Sequence, residues 1–81
     1  MDSFLEVTLD ISRHYGISVD VCVNEKMKVK EFIYETLKGL ELTLISIDNI
    51  VIKVKRSNKI ITQSEVLEDG RIRNGDVLIL M

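Results

Sequence analysis

Few residues in this 81-residue chain are of types that do chemistry, and their spacing decides what they can do. His14 is the single histidine, between Arg13 and Tyr15. A catalytic or metal-binding imidazole needs a base, a nucleophile or further ligands at suitable spacing. None accompanies it, so it reads as a solvated turn residue and no metal is expected. Cys22 is the single cysteine, which excludes an internal disulfide and fits a reducing compartment. A nucleophilic thiol needs an activating neighbour, and nearby Asp20, an anion, is not one. Asp10 and Asp20 could come close on paired strands, but two carboxylates on an open sheet make neither an acid–base pair nor a cation cage. Lys53, Lys55, Arg56 and Lys59 form the basic cluster, without the interleaved aromatic residues that stack on single-stranded nucleic acid. Glu65, Glu68 and Asp69 make an acidic loop that turns at Gly70. The Asn74-Gly75-Asp76 turn opens a strand rather than a helix, so it cradles no phosphate. The chain reads as a non-enzyme without cofactor.

Composition narrows the class further. A hydrophobic share of 46% with 30% charged residues describes a folded globular chain. The length allows one domain, 1–81, with one core, burying roughly 60–65% of its extended surface. Thirteen acidic against eleven basic residues give a net charge of −2, the wrong sign for a nucleic-acid partner. The opening MDSFLEVTLD carries acid where a signal peptide carries positive charge. No apolar run approaches the ~20 residues that span a bilayer. The expected location is the cytoplasm.

The element around which the chain is organised is a helix over residues 28–40. Val29, Phe32, Ile33, Leu37 and Leu40 share one stripe, with Lys30, Glu31, Tyr34, Glu35 and Lys38 on the other side. Gly39 stands where a left-handed glycine could end it. At its start, Asn24 lies early for a cap and Lys28 is a poor one.

The rest alternates with period two. Residues 4–11 place Leu5, Val7, Leu9 and Ile11 inward, and Phe4, Glu6, Thr8 and Asp10 outward. After a turn at 12–16, where Gly16 can take positive φ, residues 17–23 place Ile17, Val19, Val21 and Val23 inward. The two runs predict a β-hairpin. Residues 41–49 read as a packed crossover, with Leu42, Leu44 or Ile45, and Ile47 plugging the end of the core. Residues 50–55 form a third strand, 60–62 a short return, and 63–74 a loop tacked down by Val66, Leu67 and Ile72. Residues 76–81 close as a strand with Leu78 and Leu80 inward. The order is β-β-α-β-β-β. The last strand buries its apolar side best in the sheet centre, parallel to the first and joined to it by a right-handed crossover. The fold class is α+β, a mixed sheet of about five strands wrapped on one helix, the β-grasp.

That arrangement leaves Phe4, Val51, Val77 and Ile79 on the outer sheet face, with Lys53 and Glu6 at the rim. A contiguous apolar patch rimmed by charge marks a protein contact. The competing occupants of this face are Ile45 or Ile47 from the crossover, or a second copy of the chain in a homodimer.

The strand order, the step from Val23 to Val29 and the ending LEDGRIRNGDVLIL resemble ubiquitin over nearly the whole chain. A closer resemblance is to the small bacterial ubiquitin-like proteins of type VII (ESX-type) secretion, the YukD/EsaB family. Val7-Thr8-Leu9-Asp10, Tyr15-Gly16, Asp20-Val21 with Val23, Ile52-Lys53-Val54 and the terminal NGDVLIL carry it. The resemblance implies a cytoplasmic accessory or regulatory protein, recruited peripherally to a protein component of the membrane-bound secretion machinery. It also implies that conjugation is not the role. The residues agree: a covalent modifier or sulfur carrier, the alternative for this fold, needs a flexible Gly-Gly tail, and here Met81 follows the last strand directly.

Overall fold

The computed structural model describes residues 4–42 and 49–81. The expected alternation gives five strands, β1 Phe4–Asp10, β2 Ser18–Asn24, β3 Ile52–Val54, β4 Lys59–Ile61 and β5 Val77–Leu80. One sheet takes them in the order β2-β1-β5-β3-β4. β1 and β2 are an antiparallel hairpin, β5 lies parallel to β1 and antiparallel to β3, and β3 pairs antiparallel with β4. The final strand therefore occupies the centre, as its apolar alternation requires. The connection at residues 12–16 is one helical turn, α1 Ser12–Tyr15, closed by Gly16 at φ 75°. Ile17 was expected inward, but it sits at the hairpin tip and is 42% exposed. Its carbonyl accepts the Ile11 N–H there at 3.1 Å.

The main helix, α2 Val29–Gly39, buries Val29, Phe32, Ile33 and Leu37. They meet Val7, Leu9 and Val23 of the first hairpin, Ile52 and Val54 of β3, Ile61 of β4, and Leu78 and Leu80 of β5 in one core. Each such side chain removed from water contributes about 1.5–3 kcal/mol. Val66, Leu67 and Ile72 were expected to tack the long loop down. Leu67, at the start of the 3₁₀ turn Leu67–Gly70, and Ile72 are buried in the core.

Both ends of α2 are finished by backbone rather than by the side chains the sequence suggested. Lys28 supplies no cap. Instead the Val29 and Lys30 N–H groups donate to the carbonyls of Glu65 (2.9 Å) and Gln63 (3.2 Å). The same loop then donates back, from Leu67 N–H to Met27 O and from Glu68 N–H to Glu25 O. The helix N-terminus and the 63–68 loop thus satisfy each other's orphan groups. At the other end the expected role of Gly39 is corrected. Gly39 is an ordinary helical residue, and Glu41 takes the left-handed position at φ 57°. Glu41 N–H donates to Lys38 O and Leu42 N–H to Leu37 O, the paired bonds of a Schellman ending. Leu42 is half-buried against the core and fixes that exit. The expected plugging by Leu44, Ile45 or Ile47 lies outside the described residues.

The turn between β3 and β4 is anchored to the start of β5. Arg56 donates from Nε and a terminal nitrogen to Asp76 at 2.9 and 3.0 Å, and from that nitrogen to Arg71 O at 3.1 Å. Asp76 is the one buried charged residue among those described, and the Arg73 N–H reaches it at 2.8 Å. The Arg56 guanidinium holds the Asp76 carboxyl below the ordinary carboxylate range, against the opposing effect of burial, and the Arg73 N–H adds to it.

Two predictions test these ends and ties. A left-handed residue carrying a side chain costs about 1–2 kcal/mol, more than the chain entropy glycine loses. Glu41→Gly is therefore expected to raise stability by about 0.5–1 kcal/mol in urea titrations, and a loss would place the exit strain elsewhere. Because Asp76 has a lower pKa folded than unfolded, its ionic contribution is complete above the unfolded carboxylate range. It is lost as pH falls through the folded value. Asp76→Asn is expected to cost about 1.5–3 kcal/mol at neutral pH, and the gap to wild type should close under strong acid. A gap of constant size would leave the carboxylate without an ionic role.

Candidate interaction surface on the outer sheet face

Register decides which outward residues meet. Val77 pairs with Thr8 on one side, and on the other its carbonyl accepts the Lys55 N–H at 2.9 Å. Ile79 pairs with Asp10 and with Lys53, and Lys53 pairs in turn with Ile60. The Met81 N–H donates to Val51 O at 2.9 Å, which sets Val51 beside the end of β5. Four of the five residues singled out from the sequence, Val51, Lys53, Val77 and Ile79, therefore form one cluster, all half-buried.

Phe4 does not join them. It pairs with Asn24, four positions before Thr8, the residue level with Val77. At ~3.3 Å per residue that is roughly 13 Å away along the strand. The cause is the Asn74-Gly75 turn. Gly75, at φ 85°, donates its N–H to Glu6 O, and the Glu6 N–H donates to Asn74 Oδ1. β5 begins beside Glu6 and Thr8 and runs away from Phe4. Phe4, 57% exposed, stands at the start of β1 beside Asn24 of β2 instead.

Ile60 was missing from the sequence reading. It is 45% exposed and stands across Lys53 from Ile79. The signal was the Ile60-Ile61 pair: one of two neighbours on a strand must face outward, and Ile61 is buried.

The rim is electrically divided. Asp10 lies on the β1 side, where hydrogen bonds from Ser12 hold its carboxyl below the ordinary range, and Lys55 and Arg13 lower it further. Lys55 lies on the β3 side, and Lys53 stands within the cluster between Ile79 and Ile60. The surface can dock a partner through apolar contact and charge.

The other candidates are dispersed. His14 is exposed on α1 and Cys22 is exposed as a free thiol. Asp10 and Asp20 each have a separate partner, Ser12 N–H at 2.9 Å and Thr8 Oγ at 2.7 Å. Among the described residues no three His, Cys, Asp or Glu side chains gather as metal ligands, and no helix is long and apolar enough to cross a membrane. Arg56 is drawn out of the basic cluster by Asp76. In the acidic loop Glu68 pairs with Lys26 at 2.6 Å, Glu65 accepts from Thr62 and Asp69 from Val66 N–H.

No family model matches the sequence, and no curated protein matches it. Solved structures do. The ubiquitin of Caldiarchaeum subterraneum is similar at TM-score 0.69 and 15% identity, over 96% of this chain and 91% of that one. The C-terminal ubiquitin-like domain of mouse tubulin-specific chaperone e is similar at 0.66 and 13%, over 98% and 86%. A chain of the MycP5-free ESX-5 inner membrane complex is similar at 0.58 and 11%, over 96% of this chain and 20% of that one. Identities this low speak for the fold alone. The strand order, the central parallel β5 and these likenesses together make this a ubiquitin-like β-grasp.

Proposed function

We infer that this chain is a non-conjugated ubiquitin-like accessory protein of a bacterial type VII secretion system. It works by protein–protein contact rather than catalysis, in the cytoplasm and at the face of the membrane complex. The observation that carries the contact is the cluster of Val51, Ile60, Val77 and Ile79 around Lys53, apolar and open on a sheet face with acid on one side and base on the other. An ordinary solvated sheet face would alternate polar residues there. The secretion assignment is supported by the short motifs that resemble those of the YukD/EsaB proteins; a chain of an ESX-5 inner membrane complex carries the same fold over 20% of its length. A patch of this size suits a regulated encounter of micromolar order rather than a permanent interface.

The charge division orients the partner, which should set acid against Lys53 and Lys55 and base against Asp10. Val77→Glu and Ile79→Glu place a charge in the middle of the patch, while the inward Leu78 and Leu80 keep the core intact. The double variant is expected to fold as wild type by circular dichroism. It should fail to capture the secretion ATPase or its associates from gently solubilised host membranes. Equal capture by both baits would move the contact to another surface. An added protein or thiocarboxylate mass on the chain from native cells would revive the covalent-modifier reading.

A further inference from the structure

The rows that run across the sheet give its outer face a polarity of charge. In one row Asp10 of β1, Ile79 of β5, Lys53 of β3 and Ile60 of β4 stand side by side. The next row holds Asp20 of β2, Thr8 of β1, Val77 of β5 and Lys55 of β3. β5 is thus an apolar line down the middle of the face. Carboxylates stand on its β1 and β2 side and ammonium groups on its β3 side, with neighbouring strands about 4.8 Å apart. Asp10 is fixed in place by the Ser12 N–H at 2.9 Å and Asp20 by the Thr8 hydroxyl at 2.7 Å. Lys53 and Lys55 make no ion pair among the described residues.

A chain that covers this face must bring base, apolar surface and acid in that order and at that spacing. The chain itself does. Two copies laid face to face are related by a two-fold axis in the contact plane, and the charges choose its direction. An axis along β5 keeps each row at its level and exchanges the two sides of the sheet. Val77 then meets Val77, Ile79 meets Ile79, and Asp10 of each copy faces Lys53 of the other. Lys55 comes over Thr8, within reach of Asp20. An axis across the strands keeps the sides and reverses the rows, which sets Lys53 over Lys55 twice and brings no base to Asp10. Like charges facing each other disfavour that arrangement. Sheets that pack face to face lie about 10 Å apart with their strands within about 30° of one another, a gap that a lysine opposite an aspartate can close.

We propose that two copies of this chain associate through their outer sheet faces, about a two-fold axis along β5, with Asp10 and Lys53 of each copy paired to Lys53 and Asp10 of the other. The face is small, so the pairing is weak and reversible, of about micromolar order or weaker. It covers Val77 and Ile79. Its regulatory consequence rests on the reading that this same face docks the secretion machinery: pairing and docking then exclude each other, and the paired chain is the idle form.

In sedimentation equilibrium the purified intact chain is expected to pass from monomer to dimer as its concentration rises through the micromolar range and above. Asp10→Lys and Lys53→Glu each set like charges face to face and should weaken self-association about tenfold or more. Mixed together, the two variants are expected to pair with each other, because one copy then supplies two acids and the other two bases. Should Asp10→Lys, which gives up the Ser12 bond, fail to fold, a short bismaleimide carries the test on a Cys22→Ser background. It should link Val77→Cys chains, which meet at the axis. It should not link Ile60→Cys chains, whose positions lie roughly 19 Å apart across that axis. A monomer at every concentration, no pairing between the two folded charge variants, or linking at Ile60→Cys in preference to Val77→Cys would overturn the proposal. The linked Val77→Cys dimer is expected to lose the capture of the secretion ATPase that the unlinked variant keeps, and equal capture would overturn the exclusion. Failure of the linked, unlinked and wild-type chains alike to capture it would sink the docking reading and leave the dimer standing.

Discussion

The parallel pairing of β1 with β5 is the constraint from which the rest follows. It joins the two ends of the chain, as in the bond from Glu6 N–H to Asn74 Oδ1 across 68 positions. Without it the sheet would divide into the β1–β2 hairpin, marginal on its own, and the short strands β5-β3-β4. Loop closure over that length costs only a few kcal/mol more than over a short one. The central position returns this through Leu78 and Leu80, which are fully buried. A parallel neighbour also requires a crossover long enough to hold a helix. α2 supplies it, and its apolar stripe is what the inward face of the sheet needs.

The crossover is held by reciprocal satisfaction of backbone groups rather than by strong side-chain caps. Helix donors at Val29 and Lys30 meet carbonyls of the 63–65 loop, and loop donors at Leu67 and Glu68 meet carbonyls just before the helix. Arg56 and Asp76 add the second tie, from the β3–β4 turn to the root of β5. Both ties converge on the segment between β4 and β5, which carries little regular structure and much of the responsibility for placing β5. The outer-face cluster inherits that dependence. Val77 and Ile79 come beside Lys53 and Ile60 only when β5 is inserted at this register.

How much of this was legible follows from the range of each interaction. Period-two runs of Val, Ile and Leu disclose which residues face the core, and the stripe from Val29 to Leu37 discloses the helix, because burial acts on every residue of an element at once. The ends of elements depend on single partners far along the chain. Nothing local to Arg56 names Asp76, and nothing local to Lys28 names the carbonyls of Gln63 and Glu65. Gly39 drew the helix ending to itself because glycine takes positive φ without strain, yet the Leu42 contact sets the exit at Glu41. Phe4 shows the same limit on the outer face. Alternation assigns a residue to a face; only the register between strands assigns it to a row, and the Asn74-Gly75 turn sets that register.

Insertion of β5 also determines what the sheet leaves open. A strand at the centre has both its hydrogen-bonding sides occupied, so its outward residues can be read by a partner only through side chains. That makes the Val77–Ile79 surface a matter of shape, apolar area and sorted charge. The β2 edge is the converse, since there the backbone groups of Ser18, Asp20 and Cys22 have no partner among the described residues. The two surfaces point in different directions, one away from the helix and one along its flank. In a domain of 81 residues the insertion of one strand thus sets both what the sheet face shows and which strands stand at its edges.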